Sequence, residues 1–320
     1  MSAHHIVFQA LNELTLPPPD KLDFTSVVKM YQALRPVLPE AVAGPCLIRD
    51  RLIDILDDVD ALILDGFGVI NVGLDKIDGI DELLDEAERK GKIVVVLTNG
   101  ASHPAAVTAQ KYAGWGLNLP QGHIVSSRDV LVRTALTHLA RHRFISFADT
   151  TTPLGLAGEL RTESDPQPWA QAEEAVLLGA GNWSEEGQAQ LEIFLNQKQA
   201  PLYVANPDIS APYSNGFSTE PGYWAVRAMK AAQILPRWCG KPHPDAFRLA
   251  VQRVNQLAGR TVGRDRIVMV GDTPHTDILG GQAFGLKTAL ITSFGFLRDQ
   301  NTARILSDIG ITPTWQLARL

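Results

Sequence analysis

Two short apolar runs of the sequence end in an aspartate and have the composition of a site for a charged ligand. In "DALILDGFGVINVG" (60–73), Asp65 follows four apolar residues. In "RIVMVGD" (266–272), four apolar residues and Gly271 precede Asp272, and Asp277 comes five residues later. Clustered carboxylates repel one another unless a hard cation neutralises them, and Mg²⁺ favours a few carboxylates with waters and a substrate phosphate. The pattern indicates chemistry at a phosphate group.

Two further runs end in groups that suit the same chemistry. "KIVVVLTN" (92–99) ends with Thr98, and "WCGKP" (238–242) contains Lys241. A lysine is a compact charge that can hold a phosphate, and a hydroxyl with neighbouring backbone N–H groups can bind its oxygens. Because an aspartate can attack phosphorus and form an aspartyl phosphate, the set is typical of phosphoryl transfer at Asp65.

Each of these features also has an ordinary structural interpretation. An aspartate followed by glycine is a turn signal, and Thr98-Asn99-Gly100 is an ordinary strand exit and helix cap. Asp272 and Asp277 fit a helix N-cap and a first-turn carboxylate. Their joint occurrence in order, each at a strand end, favours a site over four separate turns.

The elements that position these residues alternate between strand and helix. Continuous apolar runs predict parallel strands covered on both faces, and the crossovers between them predict an α/β fold with a doubly wound parallel sheet. In such sheets ligands bind outside the carboxyl ends of the strands, where the site residues would meet. A second α/β block interrupts the first. The predicted organisation is an accessory segment at 1–47, core at 48–142, an inserted smaller domain at 143–236, and core again at 237–320.

The composition narrows the class of protein. The chain has 320 residues, 45% hydrophobic and 20% charged, with a net charge of −6 and a pI near 5.8. These values argue against a nucleic-acid partner or an anionic membrane surface. No apolar run is long enough to span a bilayer, the N-terminus is unlike a signal peptide, and only two cysteines occur. A cytoplasmic enzyme is expected.

Four segments together resemble the motifs of the haloacid dehalogenase-like superfamily, and they are closest to subfamily IIA, which includes 4-nitrophenyl phosphatase and pyridoxal-phosphate phosphatase types. The segments are "LILDGFGVI" (62–70), "VVLTNGAS" (95–102), "CGKPHPDAF" (239–247) and "VMVGDTPHTDILGGQAFG" (268–285). The large insert between the second and third segments is similar to the C2-type cap of that family, and the core would then have its Rossmann-like sheet.

The resemblance implies a metal site for Mg²⁺ and a covalent mechanism. Asp65 would be the nucleophile and a metal ligand, the backbone carbonyl of Phe67 a second ligand and Asp272 a third. Asp277 would lie in the outer part of the metal site. A cap of this type closes over the core, excludes water and chooses the leaving group.

The resemblance also implies a small phosphorylated molecule as the partner. Residues expected to hold its phosphoryl group are Thr98, Asn99, Gly100 and Lys241. In the cap, "VANPD" (204–208) is similar to a segment that faces the substrate, which makes Asn206 and Asp208 candidates for substrate contact. Dimerisation through the cap is common in proteins that this chain resembles, so a homodimer is one expectation.

The chain departs from the pattern at Phe67. Most phosphatases of the superfamily have a second aspartate there, which protonates the leaving oxygen, and such help is worth about 10²–10⁴ in rate. His243 and His275 lie close to motifs and are candidates for the missing acid or base, although both also suit the first turns of helices. The alternatives are a binding or regulatory protein that retains the metal and phosphate pocket, and metal-independent hydrolysis at carbon.

A last pattern has a weaker claim to chemistry. "HLARH" (138–142) places His138 and His142 on one helix face, as a metal pair requires, but the glutamate and third ligand of a zinc protease motif are missing. The pattern is interpreted as a solvated helix face. Cys239 is interpreted as a small buried residue.

Overall fold

The structure is a computed structural model that describes residues 2–42, 44–147, 152–161, 167–213 and 216–320. None of the helices in these ranges has both the length and the apolar character needed to cross a bilayer.

Strands and helices alternate along most of the described chain. The strands are β1 Leu47–Arg51, β2 Ala61–Leu64, β3 Asn71–Val72, β4 Asp75–Lys76, β5 Ile93–Thr98, β6 Ile124–Ser126, β7 Phe144–Phe147, β8 Glu159–Arg161, β9 Glu174–Leu177, β10 Leu202–Val204, β11 Pro212–Tyr213, β12 Gly216–Phe217, β13 Arg237–Trp238, β14 Ile267–Gly271, β15 Lys287–Ile291 and β16 Trp315–Arg319. The α-helices are α1 Ala3–Glu13, α2 Phe24–Leu34, α3 Ile80–Arg89, α4 Ala105–Gly114, α5 Ser127–Leu139, α6 Pro168–Gln171, α7 Glu185–Lys198, α8 Pro221–Ala232, α9 Pro244–Ala258, α10 Leu279–Ala283 and α11 Thr302–Ile309.

The core is a seven-stranded sheet in the order β1-β16-β15-β14-β2-β5-β6, in which every described pairing is parallel. Alternate side chains of β2 face opposite layers: Leu62 and Leu64 pack with α3 and α4, whereas Ala61 and Ile63 pack with α5 and α9. Burial on both faces explains why these strands are continuous apolar runs. The predicted doubly wound α/β core is confirmed.

The insert forms a smaller sheet of its own, in the order β13-β10-β9-β7-β8, again with parallel pairings. Helices α7 and α8 bury apolar side chains against it, including Leu191, Phe194 and Ala228. Because Arg237–Trp238 pairs within this sheet, we propose that the chain returns to the core after Trp238. The predicted smaller α/β domain inserted into the core is confirmed.

The N-terminal segment packs against both the core domain and the cap domain. Helices α1 and α2 share one apolar cluster with Tyr223 and Met229 of the cap and with Ile278 and Leu290 of the core. Helix α1 lies outside the sequence predictions, and its buried residues Val7, Phe8 and Leu11 pack on surfaces supplied by distant parts of the chain. The segment is therefore wedged at the junction between core and cap.

Candidate active site

A cavity of about 700 Å³ lies over the carboxyl ends of the core strands, between core and cap. Its core side is formed by residues at the ends of β2, β5 and β14, and its cap side by described residues that lie between Asn206 and Tyr213 and between Phe217 and Glu220. Pro19 and Asp20, from the loop between α1 and α2, also line it. Three of the four predicted strand ends, at Asp65, Thr98 and Asp272, therefore meet at one place, and the N-terminal segment contributes to its wall. The expectation that Lys241 ends a core strand is wrong, because the strand before it, β13, pairs with β10 in the sheet of the insert.

Lys241 holds two carboxylates at the floor of this cavity. Its Nζ lies 2.6 Å from Asp65 Oδ1 and 2.7 Å from Asp277 Oδ1, and the lysine and Asp277 side chains are fully buried. The Asp65 side chain is 11% exposed, toward the cavity that it lines. Burial lowers the pKa of Lys241, but Asp277 and Asp65 outweigh it, so the net pKa is raised and the amine stays charged.

Asp277 is held at both oxygens. Besides the bond from Lys241 to Oδ1, its Oδ2 accepts a hydrogen bond of 3.1 Å from the Thr273 backbone N–H. It lies in a π-helical turn, Pro274–Ile278, that precedes α10. The sequence pattern predicted a single helix there, and the wider turn directs Asp277 back toward the strand ends.

Asp272 is fixed by backbone that approaches it closely. Its Oδ2 accepts a 2.6 Å bond from the Phe296 N–H, and its Oδ1 accepts one of 3.0 Å from the Thr273 hydroxyl. Gly68 has φ +78°, and a Cβ at this position would lie 2.2 Å from Asp272 Cγ. Only glycine therefore allows the loop after β2 to pass so close to this carboxylate.

The three aspartates form an oxygen cluster suited to a hard cation. One carboxylate oxygen from each of Asp65, Asp272 and Asp277 lies within 4.8 Å of the others. Burial raises the pKa of Asp65, opposed by Lys241 and reinforced by Asp277. Burial and the same neighbouring carboxylates raise the pKa of Asp272 well above its ordinary value. A divalent cation would relieve this repulsion and favour the ionised forms, so the donor set fits Mg²⁺.

Thr98 is the last residue of β5 and Asn99 follows it, and their side chains make different hydrogen bonds. The Thr98 hydroxyl accepts a 3.1 Å bond from the Gly100 N–H, and both residues line the cavity. The Asn99 side chain is a connector: Oδ1 accepts from the Lys241 N–H at 2.8 Å and from the Ser127 hydroxyl at 2.9 Å. Its Nδ2 donates to the Lys241 carbonyl and to Asp208.

Asp208 and Asn206 come from the cap loop after β10. Asp208 Oδ1 accepts a 2.8 Å bond from Asn99 Nδ2, which joins cap to core inside the cavity. Asn206 accepts from the Asp208 N–H at 3.0 Å and donates to Glu220 at 3.1 Å. Burial raises the pKa of Asp208 to about 7, against the lowering effect of Lys241 and Asn99, and burial also raises that of Glu220. The cap therefore presents in Asp208 a carboxyl group whose protonation changes near neutrality.

Phe67 and Lys111 form a wall of the cavity that sequence patterns did not reveal. The Phe67 ring lies 6.4 Å from the Tyr213 ring, and Lys111 Nζ lies 5.6 Å from the Phe67 ring centre. The same amine lies 5.1 Å from the rings of both Tyr112 and Trp115, and burial lowers its pKa. No local pattern around Lys111 marks it as a site residue.

The two histidines considered as stand-ins for the missing acid are remote from the cavity lining. His243 is the N-cap residue of α9 and stacks on Trp238, and burial lowers its pKa to about 4. His275 is fully buried against Tyr31 and within 2.9 Å of Gln32 Nε2, and burial lowers its pKa to about 3. Neither lines the cavity, and both stand at the start of a helix, which agrees with their interpretation as residues of helix first turns.

Known proteins with this geometry can now be compared. Residues 62–152 match the model of a family described as haloacid dehalogenase-like hydrolase, and residues 238–315 match one described as HAD-hydrolase-like. The two matches flank the insert and together cover more than half of the chain.

Relatives with similar sequences are named as phosphatases. A dihydroxyacetone phosphatase of Corynebacterium glutamicum is 26% identical over 233 residues, which cover 71% of this chain and 78% of the relative. The glycerol-3-phosphate phosphatase of Homo sapiens is 27% identical over 297 residues, which cover 83% of this chain and 90% of the relative.

Solved structures show the same fold. A possible sugar phosphatase of Cytophaga hutchinsonii superposes with a TM-score of 0.73 at 22% identity, covering 86% of this chain and 98% of that one. A 4-nitrophenylphosphatase of Thermotoga maritima gives 0.66 at 21% identity, covering 82% and 95%. With motifs, family models and fold in agreement, the chain belongs to the haloacid dehalogenase-like hydrolases.

Proposed function

We propose that this protein is a Mg²⁺-dependent phosphatase that hydrolyses a small phosphorylated metabolite through an aspartyl phosphate on Asp65. The observation that carries the proposal is the buried Lys241, which holds Asp65 at the cavity floor beside Asp272 and Thr98. Relatives that are 26–27% identical and named as phosphatases of dihydroxyacetone phosphate and glycerol 3-phosphate support it.

The metal would be held by Asp65, Asp272 and the backbone carbonyl of Phe67, with Asp277 outside this group. Asp277 suits the outer position because its two oxygens already accept from Lys241 and Thr273. When bound, Mg²⁺ would neutralise the carboxylates and offset charge on the phosphoryl oxygens. The approach of Gly68 to Asp272 supports a role for the carbonyl of the preceding residue, Phe67.

The chain's own groups would orient and stabilise the reacting phosphate. Both bonds to the Asp65 carboxylate, from Lys241 Nζ and from the Gly66 N–H, end on Oδ1. Oδ2 is then the oxygen that attacks phosphorus, and Lys241 stabilises the charge that develops. The Thr98 hydroxyl and the Gly100 backbone would contact phosphoryl oxygens, whereas Asn99 serves as a positioning residue that holds the loop bearing Lys241.

Phe67 has no acidic group, so we assign to Asp208 the transfer of a proton to the leaving oxygen. It lines the cavity with Asp65, belongs to the cap that covers the leaving group, and its pKa of about 7 leaves a large protonated fraction at neutral pH. Proton donation to the leaving oxygen is most efficient when the pKa of the acid is near the working pH. Asn206 and Glu220 hold the loop that presents it.

The cavity favours a small hydroxylated substrate. Apart from Lys111, the described charged groups that line it are acidic, among them Asp20, Asp208 and Glu220, and these would repel a second anionic group on the leaving portion. Hydroxyl groups of a polyol phosphate would hydrogen-bond to the same carboxyls. This preference rests on the lining residues and agrees with the substrates in the names of the relatives.

A second candidate is a binding or regulatory protein that retains the pocket but turns over poorly. It is favoured by one observation, that the position two residues after Asp65 carries a phenylalanine with no proton to exchange. It predicts saturable binding of phosphate esters with turnover near background.

The test is a metal-dependent assay on a panel of phosphate esters that includes 4-nitrophenyl phosphate, glycerol 3-phosphate and dihydroxyacetone phosphate. We expect turnover that EDTA removes and Mg²⁺ restores, and a loss of at least about 10⁴-fold in Asp65→Asn, because the nucleophile is replaced by a neutral amide. The matched control is Asp85→Asn, an exposed residue of α3, which should retain full activity. Unchanged turnover in Asp65→Asn would refute the covalent mechanism.

A further inference from the structure

A second cluster of metal-ligating side chains lies where the core chain passes into the cap, away from the catalytic cavity. His138 is in the last turn of α5 and His142 follows it at the helix exit. The third member is Glu174, the first residue of β9 in the cap sheet. The sequence pattern "HLARH" lacked a carboxylate partner, but the fold supplies Glu174 from 36 residues away, so the helix face that was interpreted as solvated is partly covered.

The three side chains converge closely. His138 Nε2 lies 2.5 Å from Glu174 Oε1, and the two imidazole rings are stacked with their centres 4.3 Å apart. One ligand atom from each residue lies within 4.8 Å of the others. His138 is 42% exposed, so the cluster opens to solvent on one side. Two imidazoles and a carboxylate with an open fourth position are a typical ligand set for zinc.

Glu174 carries the observation that points to a ligand. Its side chain is 4% exposed, and its Oε2 is buried without a hydrogen-bond partner among the described residues. A buried carboxylate oxygen that lacks a partner is costly, and an ion is one of its standard explanations. Arg237, two strands away, donates instead to the Tyr203 hydroxyl and lies over that ring.

His142 is in the state that a metal ligand requires. Its Nδ1 lies 2.9 Å from the His138 carbonyl oxygen, and since a carbonyl only accepts, Nδ1 carries the proton. The lone pair is then on Nε2. A ligating histidine usually donates its other N–H to a carbonyl or carboxylate in this way, because the bond fixes the ring and the tautomer.

We propose that His138, His142 and Glu174 form a binding site for a divalent transition-metal cation, with Zn²⁺ as the best fit. This site differs in chemistry from the three aspartates, because nitrogen ligands favour zinc over Mg²⁺, which prefers oxygen alone. Its position gives it a structural role. The cation joins the end of core helix α5 to the first residue of a cap strand, beside the chain segment at Arg143 that connects the two.

The experiment uses full-length, tag-free protein stripped of metal and then titrated with Zn²⁺ in competition with a chromophoric chelator, in excess Mg²⁺ to occupy the aspartates. We expect wild type to bind one Zn²⁺ that His142→Ala and Glu174→Gln bind more than about tenfold more weakly, since each loses a ligand. Co²⁺ in place of Zn²⁺ should give visible absorption bands of a tetrahedral nitrogen-containing site in wild type only.

The matched control is His5→Ala, an exposed histidine of α1, which should bind like wild type. His142 is partly exposed, so its alanine variant tests the proposal even if Glu174→Gln fails to fold. Bound Zn²⁺ should also raise the unfolding temperature of wild type but not of His142→Ala, because a ligand of the folded state stabilises it. Equal Zn²⁺ affinity in wild type and His142→Ala, or loss of the site in His5→Ala, would overturn the proposal.

Discussion

The core side and the cap side of the cavity hold their carboxyl groups in opposite ways. On the core side, Asp65 and Asp277 are paired with a fully buried lysine. On the cap side, Asp208 and Glu220 are bonded to neutral groups, the amides of Asn99 and Asn206. Burial raises the pKa on both sides, to about 8 for Asp65 and to about 7 for Asp208, and it also raises the pKa of Glu220. The clustered core carboxylates would be fully ionised at neutral pH once a cation is bound beside them, whereas Asp208 on the cap side can exchange a proton without one.

The largest effect that separates the two sides is expected for Lys241→Met. The substitution leaves two carboxylates buried without their cation, which should cost about 3–5 kcal/mol in the free energy of unfolding. It also removes charge stabilisation at the phosphoryl group, so kcat/KM should fall by at least about 10²–10³-fold. Denaturant unfolding and kinetics on one phosphate ester measure the two losses.

The control for that variant is Lys90→Met, which removes an ion pair with Asp57 at the surface of the core. Surface pairs contribute about 0–1 kcal/mol, so its stability and activity should stay close to wild type. If Lys241→Met were equally mild, the core side would not depend on the buried pair and the contrast with the cap would fail.

A smaller effect, confined to activity, is expected for Asp208→Asn. The variant loses the proton donor, so kcat/KM on glycerol 3-phosphate should fall about 10²-fold, with little change on 4-nitrophenyl phosphate, whose leaving group needs no proton. Because the acid acts when protonated and its pKa is raised to about 7, wild-type activity on the alkyl ester should fall as the pH rises through about 7. The asparagine variant should lose this pH dependence.

Two further variants test whether the effect of Asp208→Asn comes from the loss of a proton donor. Asp20→Asn changes another carboxyl group of the cavity wall and should alter neither the substrate contrast nor the pH profile. Phe67→Asp should restore activity in the Asp208→Asn background and change wild type by less than about tenfold. A large gain from Phe67→Asp in wild type would instead support the poorly active binding protein.

Residues at strand ends were predictable, and residues that depend on packing between distant segments were not. Asp65, Thr98 and Asp272 each end an apolar strand of the core sheet, and parallel topology requires such ends to share one edge. Lys241 reaches the same place from the loop after β13, a strand of the cap sheet, which strand order in the core does not predict. The sequence provides no comparable rule for Glu174 and His138, because Glu174 begins a strand of the cap sheet and His138 lies on a helix of the core. Their contact is set by how the cap packs on α5.

The same limit applies to His275, one of the two histidines considered as a possible acid or base. His275 follows a motif and has a local sequence suited to acid–base chemistry. Its neighbours in space are Tyr31 and Gln32 of α2, more than 240 positions earlier in the chain. A helix that is remote in sequence therefore removes the imidazole from water, and no pattern near His275 records this.

The smallest effect is expected where core and cap meet through the N-terminal helices. The Tyr31 hydroxyl accepts a 3.2 Å hydrogen bond from the Ile209 N–H of the cap, while its ring stacks on His275 of the core. Tyr31→Phe keeps the ring and leaves the Ile209 N–H without this partner, so stability should fall by about 1 kcal/mol. Thermal unfolding measures this, with the more exposed Tyr213→Phe as the control. A loss above about 3 kcal/mol would show that the junction is as rigid as the core side.

Helices α1 and α2 bury apolar side chains against both domains, so the contact between core and cap includes a third segment of the chain. A cap movement that widens the cavity must either move these helices together with the cap or separate them from one of the two domains. Separation would expose apolar surface to water. Opening of the cap therefore has a free-energy cost that depends on these two helices. We therefore expect substrate and product to enter and leave through short displacements of the cavity wall near Pro19 and Tyr213, more than through a large movement of the whole cap.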